Sequence, residues 1–148
     1  MIRLLSVALA FSFLNSAVGE ETTRLDAEKY PQETPRKSVA SIVKALESRD
    51  FDYWISWLVT PAAKERLITQ HGSLNSAVIF NADDKHIPRI KAQTETIKKL
   101  IGVNKTSEGV NDGVTWFRYS DEDLVLQFER QPDGRWCMNT KIAKGPAK

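Results

Sequence analysis

The sequence predicts an α+β fold in which N-terminal helices pack on a C-terminal, four-stranded antiparallel and curved sheet. Two observations support this prediction. Up to Gly102 apolar residues recur at the spacing of helices, and after Gly102 they alternate as in strands. The strand candidates are separated by turn sequences rich in Gly, Asn and Asp, which is typical of antiparallel hairpins.

The helical half is divided by capping residues. Thr34-Pro35 and Thr60-Pro61 each place a threonine at the N-cap and a proline in the first turn, and Ser73 can cap a further helix. The predicted helical segments are 34–50, 51–59, 60–71, 73–80 and about 88–101. The first has an apolar stripe at helical spacing, made of Val39, Ile42, Val43 and Leu46.

The strand half has four candidates, at 103–110, 114–119, 124–130 and 135–142. In the third candidate Leu124, Leu126 and Phe128 alternate with less apolar residues, which predicts one buried face. The second candidate carries aromatic residues on both faces, so its register stays open. Cys137 lies between Trp136 and Met138 in the last candidate, which predicts that its thiol is buried.

The first 19 residues predict export. A basic residue precedes an apolar run at 4–14, and Ala17 and Gly19 take the −3 and −1 positions of a cleavage site. We expect cleavage between Gly19 and Glu20, because the uncharged stretch is shorter than the roughly 20 residues of a spanning helix. No cysteine that could carry a lipid follows the apolar run, so we expect no stable membrane anchor after cleavage. We expect the cleaved chain to be located in the periplasm or outside the cell.

The remaining boundaries follow from composition. We expect a mobile leader at 20–33, one α+β domain at 34–143 and a polar tail at 144–148. The 148 residues carry a formal net charge of only +2, which argues against a dedicated nucleic-acid binder. One cysteine and two histidines exclude a disulfide framework and leave little for a metal centre, so we expect no cofactor and no metal.

Two stretches, TPRKSVASIVKALESRDFDY at 34–53 and LVLQFERQPDGRW at 124–136, resemble the NTF2-like (cystatin-like cone) superfamily. The similarity is to its small exported bacterial domains of uncharacterised role. The resemblance implies that helices and a bent sheet enclose a hydrophobic pocket. It also implies that the domain either binds a ligand or partner or acts as an isomerase or dehydratase, and that a homodimer can form through the open sheet face.

Aromatic side chains are the best candidates to line such a pocket. Tyr53 and Trp57 on a helix, with Trp116 and Tyr119 on a strand, combine large apolar surfaces with polar tips. The alternative for each is ordinary core packing. We therefore name these four as candidate ligand-binding residues.

No catalytic residue is predicted. Asp83-Asp84-Lys85-His86 is the densest titratable cluster, but its place between two helices favours a solvated, helix-breaking loop. His71, before Gly72, reads as a residue that complements a helix C-terminus. We interpret the basic stretch 85–99 as a solvated helix face and not as a site for an anionic partner, because it has no interleaved aromatic residues on which bases could stack.

These observations favour an exported domain that binds a small apolar ligand or a protein partner without catalysis. One alternative is an isomerase or dehydratase-type enzyme that uses a carboxylate in an aromatic pocket, so whether the chain is an enzyme stays open. The other alternative is a structural dimerisation module.

Overall fold

The computed structural model describes residues 27–122 and 124–144, and for 140–144 it describes the backbone only. The predicted signal peptide, its cleavage site, the leader up to 26 and the tail from 145 lie outside the described residues. Within them, no helix is long and apolar enough to cross a bilayer.

The α+β fold is confirmed, with the helices preceding the strands along the chain. The helical elements are α1 (Pro35–Glu47), α2 (Phe51–Tyr53), a π-helical turn (Trp54–Leu58), α3 (Pro61–His71), α4 (Leu74–Ala82), a 3-10 turn (Asp84–His86) and α5 (Ile87–Gly102). The strands are β1 (Thr106–Asn111), β2 (Val114–Ser120), β3 (Leu124–Arg130) and β4 (Trp136–Lys144).

Capping residues fix the helix boundaries, as the sequence predicted. The side-chain oxygens of Thr34, Thr60 and Ser73 each accept a hydrogen bond from the backbone N–H three residues later, at 3.0–3.2 Å. Gly72 ends α3 in the left-handed conformation, with φ of 84°. Local chemistry therefore sets where α1, α3 and α4 begin and where α3 ends.

The sheet is an antiparallel meander in the order β1-β2-β3-β4. Its register places Phe117 opposite Phe128 and Tyr119 opposite Leu126, so these four side chains share one face. Leu126 and Phe128 are fully buried on that face, which α1 and α5 cover. A register shift in the pairing of β3 with β4 marks a bulge, which bends the sheet.

Successive side chains of each strand point alternately to the helix-covered face and to the opposite face. We call the opposite face the outer face; Trp116 and Arg118 on β2 and Gln127 and Glu129 on β3 belong to it. Their side chains are half-buried. The sheet therefore presents one apolar surface to the helices and one polar surface away from them.

Residues 27–33, the described part of the predicted leader, contact the rest of the domain. In residues 27–33, Tyr30 is only 1% exposed and its hydroxyl donates to Asp50 Oδ2 at 2.7 Å. Gln32 is also buried, and its backbone oxygen accepts from the N–H of Trp136 at 2.9 Å. The sequence showed no periodicity here because distant hydrogen bonds, rather than a regular local pattern, hold this segment.

The edge of β4 is covered by two other parts of the chain. Gln32 bonds to Trp136 through its backbone, and the N–H of Thr60 donates to the oxygen of Met138 at 2.9 Å. Val59 forms an isolated parallel bridge with Met138. Val59 and Thr60, which follow the π-helical turn, thus pair briefly with β4. Their contacts satisfy backbone groups that would otherwise lack partners at the edge of the sheet.

The indole of Trp116 lies against Gly109 on the neighbouring strand. A Cβ added at Gly109 would lie 2.6 Å from Cζ2 of Trp116, whereas a Cβ added at Gly102 would meet nothing within 4 Å. We expect Gly109→Ala to lower the free energy of unfolding by about 1 kcal/mol or more, because the ring must move. Gly102→Ala is the control and should be neutral or slightly stabilising. Urea denaturation checks this, and equal losses in both variants would contradict it.

Asp50 links the N-terminal segment to α2. Partial burial alone would raise the pKa of its carboxyl, but hydrogen bonds from Tyr30, Lys29 and the N–H of Tyr53 outweigh burial and hold the pKa below its ordinary value. A lowered pKa contributes stability that is present above about pH 4 and is lost as the pH falls through the folded-state pKa.

We therefore expect Asp50→Asn to destabilise the domain at neutral pH by about 1–3 kcal/mol and to flatten the acid side of its stability profile. The control is Asp52→Asn, which removes an exposed carboxylate in α2. Denaturation at a series of pH values measures both. An unchanged acid limb in the Asp50 variant would show that another carboxylate causes the loss.

Candidate functional site

The four predicted aromatic residues do not line one pocket. Tyr53 on α2 and Trp57 in the π-helical turn stack on each other, with ring centroids 6.4 Å apart. Trp116 lies on the outer face of the sheet and Tyr119 on the helix-covered face. The structure therefore divides the predicted set among three places.

Tyr53 and Trp57 belong to an aromatic column that begins at Tyr30. The ring of Tyr30 stacks on that of Tyr53 at 4.4 Å, and the guanidinium of Arg135 lies 5.3 Å from the ring centre of Trp57. Tyr30 is buried, whereas Trp57 is 41% exposed at the other end. The column attaches the N-terminal segment to the turn after α2 and offers a ligand only its last ring.

Tyr119 lies in a groove of a size that suits a small ligand. We call it the end groove; its volume is about 610 Å³, and it lies between the N-terminal part of α1, the C-terminal end of α5 and the sheet at β1 and β2. Its wall includes Arg36, Val39, Ala40, Ile101, Phe117 and Tyr119. The groove wall thus includes apolar residues of two helices, α1 and α5, which the sequence analysis did not name as ligand-binding candidates.

The walls of the end groove belong to helices and strands that the apolar pattern of the sequence predicts. Val39 is the first residue of the apolar stripe of α1, and Ile101 lies in the last turn of α5. Phe117 and Tyr119 follow the strand alternation and contact each other edge to face, with ring centroids 5.1 Å apart. The apolar pattern that builds the core therefore also builds the groove.

Charge in the end groove comes mainly from Arg36. Its exposed side chain forms no ion pair with any described residue. Lys98, the other cation of the wall, is neutralised by Glu47 and Glu95. The first turn of α1 contains no acidic residue, so the positive end of its dipole adds to the charge of Arg36.

Tyr119 contributes a neutral hydroxyl to the groove. The residue is 7% exposed, and its hydroxyl makes no hydrogen bond with the part of the chain that the structure describes. Burial raises the pKa of this phenol, while the charge of Arg36 pulls the pKa down. The net shift is upward, so the hydroxyl keeps its proton at neutral pH and is available as a donor.

Acid–base groups are placed elsewhere. None of the residues that line the end groove is Asp, Glu or His. Asp83 caps the 3-10 turn by accepting from the N–H of Lys85 at 3.0 Å, and Asp84 pairs with Arg49 on the surface. Asp83, Asp84 and Lys85 are thus exposed in the connection between α4 and α5, and His86 is half-buried there.

The histidines and the cysteine have structural surroundings. His71 and His86 both contact the ring of Phe80, at centroid distances of 4.7 and 3.9 Å. Cys137 is buried, as predicted, and burial raises the pKa of its thiol, which disfavours the reactive thiolate. Among the residues that the structure describes, no three His, Cys, Asp or Glu side chains are grouped to hold a metal ion.

Comparison of the chain with family models, with curated proteins and with solved structures found no match.

Because the pKa of Tyr119 is raised, the free energy of unfolding depends on pH in the alkaline range. The folded state holds the phenolic proton more tightly than the unfolded state, whose tyrosines titrate near about pH 10. The contribution is therefore complete below about pH 10 and is lost as the pH rises through the folded-state pKa. We expect Tyr119→Phe to lack this part of the alkaline loss, as measured by denaturation at increasing pH.

Arg36→Gln provides a second measurement on the same phenol. It should raise the pKa of Tyr119 further, because the guanidinium favours the phenolate. Lys37→Gln is the control, since Lys37 pairs with Glu33 and does not line the groove. Spectroscopic titration of the phenol distinguishes them, and the same pKa in both variants would mean that Arg36 does not act on the groove.

Proposed function

We propose that this chain is an exported NTF2-like domain that binds a small amphiphile in the end groove without transforming it. The ligand has an apolar body and one carboxylate. The main support is that an apolar groove of about 610 Å³ contains the guanidinium of Arg36, which forms no ion pair with any described residue.

The size and lining of the end groove suit a small apolar body. Ligand pockets in proteins commonly measure about 300–1,000 Å³ and combine apolar walls with a few polar groups. Here Val39, Ile101 and Phe117 supply the apolar wall, and the Tyr119 hydroxyl supplies one donor. An alkyl chain or a single ring fits this arrangement better than a polar ligand, which would leave its own groups without partners.

The charge of the groove selects the head group. Arg36 presents a guanidinium, which matches the two oxygens of a carboxylate, and the N-terminus of α1 adds positive potential nearby. Lys98 adds little, because two glutamates already neutralise it. A carboxylate at the mouth of the groove would therefore meet Arg36 first.

Binding is favoured over catalysis by the same lining. An isomerase or dehydratase of the type considered above needs a carboxylate base beside the ligand, and the described wall of the end groove contains no Asp, Glu or His. The phenol of Tyr119, with its raised pKa, is a donor rather than a base at neutral pH. The enzyme alternative would need an acidic group brought from outside this groove.

Membership of the superfamily and export are parts of the proposal with their own support. The resemblance of 34–53 and 124–136 supports NTF2-like identity, and helices on a bent antiparallel sheet agree with it. Export is supported by the charged, apolar and small-residue pattern of residues 1–19.

Binding of octanoate and 1-octanol to the purified protein tests the proposal, because the two share a chain and differ in charge. We expect octanoate to bind about threefold to fivefold more tightly, since an exposed ion pair contributes up to about 1 kcal/mol. Arg36→Gln should remove the difference, and Lys37→Gln should keep it. Calorimetry or NMR titration measures the affinities.

Filling the groove provides the complementary test. Ala40 is an exposed helix residue in its wall, so Ala40→Phe adds a ring there without disturbing the core. This variant should lose most binding of both ligands. Undiminished binding in Ala40→Phe, or no binding of either compound to the original protein, would reject the end groove as the site.

A further inference from the structure

The outer face of the sheet carries a row of side chains that hydrogen bonds hold in place. Arg118 Nε donates to Gln127 Oε1 at 2.7 Å, and Gln127 Nε2 donates to Glu129 Oε1 at 2.9 Å. Asn139 Nδ2 on β4 also donates to Glu129 Oε1, at 3.2 Å. We call Trp116, Arg118, Gln127 and Glu129 the outer-face row.

Arg118 is oriented without being neutralised. Its guanidinium carbon lies 4.2 Å from the ring centre of Trp116, and its bond to Gln127 uses the Nε group alone. The two terminal amino groups make no hydrogen bond to other described residues. They are therefore donors in a fixed direction, because the stacked ring and the amide restrict the plane of the guanidinium.

Glu129 is oriented in a complementary way. Both hydrogen bonds that it receives go to Oε1, so Oε2 has no donor among the described residues. Arg66 of α3 donates to Asn139 and so steadies the amide behind the carboxylate. A free acceptor and a set of free donors thus face the same groove from neighbouring strands.

That groove measures about 500 Å³; the outer-face row and Val114 form part of its wall, and Asp112 adds a second carboxylate to Glu129. Val114 is 40% exposed and offers an apolar surface next to the polar row. Trp116 is held from below by its contact with Gly109. The groove therefore combines apolar surface with planar donors and acceptors whose positions are set before a ligand arrives.

We propose that the outer-face row binds a saccharide through a pair of neighbouring hydroxyl groups. One hydroxyl oxygen accepts from a terminal amino group of Arg118, and the other hydroxyl donates to Glu129 Oε2. The C–H surface of the sugar ring lies on Val114 and the exposed part of Trp116. A neutral diol fits better than an anion, because Glu129 would repel an anion close to Arg118.

Saturation-transfer NMR and calorimetry with cellobiose, maltose and N,N′-diacetylchitobiose test this proposal. We expect at least one disaccharide to bind with a dissociation constant of about 1 mM or lower. Arg118→Lys keeps the charge but loses the planar donors, and Glu129→Gln replaces Oε2 by a donor. Each should weaken binding about tenfold, given the strength of hydrogen bonds to charged groups.

Two controls separate this site from the others. Trp57→Phe changes a more exposed tryptophan that lies outside the outer-face row, and it should leave saccharide binding unchanged. Ala40→Phe fills the end groove and should also leave it unchanged, so this proposal and the proposed function fail independently. Thermal unfolding confirms that the variants are folded.

The proposal is overturned if none of the three disaccharides binds at about 10 mM, a concentration well above the expected dissociation constant. It is also overturned if a sugar binds equally well to the original protein, Arg118→Lys and Glu129→Gln.

Discussion

The hydrogen bonds of Gln32 hold together three parts of the chain that no local signal connects. Its side-chain nitrogen donates to the backbone oxygens of Trp57 and Trp136, and its own backbone oxygen accepts from Trp136. Ser38 of α1 donates to the same oxygen of Trp136. Since buried polar groups must be paired, these bonds fix α1 against β4, and the placement of α1 in turn sets the width of the end groove.

The sequence predicted the elements whose signals are local. Thr34 and Thr60 start helices because a side-chain oxygen satisfies an N–H three residues away, and the alternation around Phe128 follows from strand geometry alone. The contacts of residues 27–33 were not predicted, because Tyr30 and Gln32 form hydrogen bonds with partners 18 or more residues away. No periodicity reports such contacts.

The candidate site was predicted only in part, for a related reason. Tyr119 was named and lies in the end groove, but Trp116 is an odd number of residues away and so points to the other face of β2. With aromatic residues on both faces, the strand gave no sign of which face the helices cover. Arg36 was missed because its importance lies in the absence of an acidic partner, which depends on the folded neighbourhood.

The covered edge of β4 has a consequence for association between copies of this chain. Because Gln32 and Thr60 occupy the backbone groups at 136–138, β1 is the described edge that has no neighbouring strand. β1 has six residues, and antiparallel pairing of two copies centred on Glu108 would place like charges opposite each other. Strand addition between copies is thus left to an edge where, in that register, like charge opposes it.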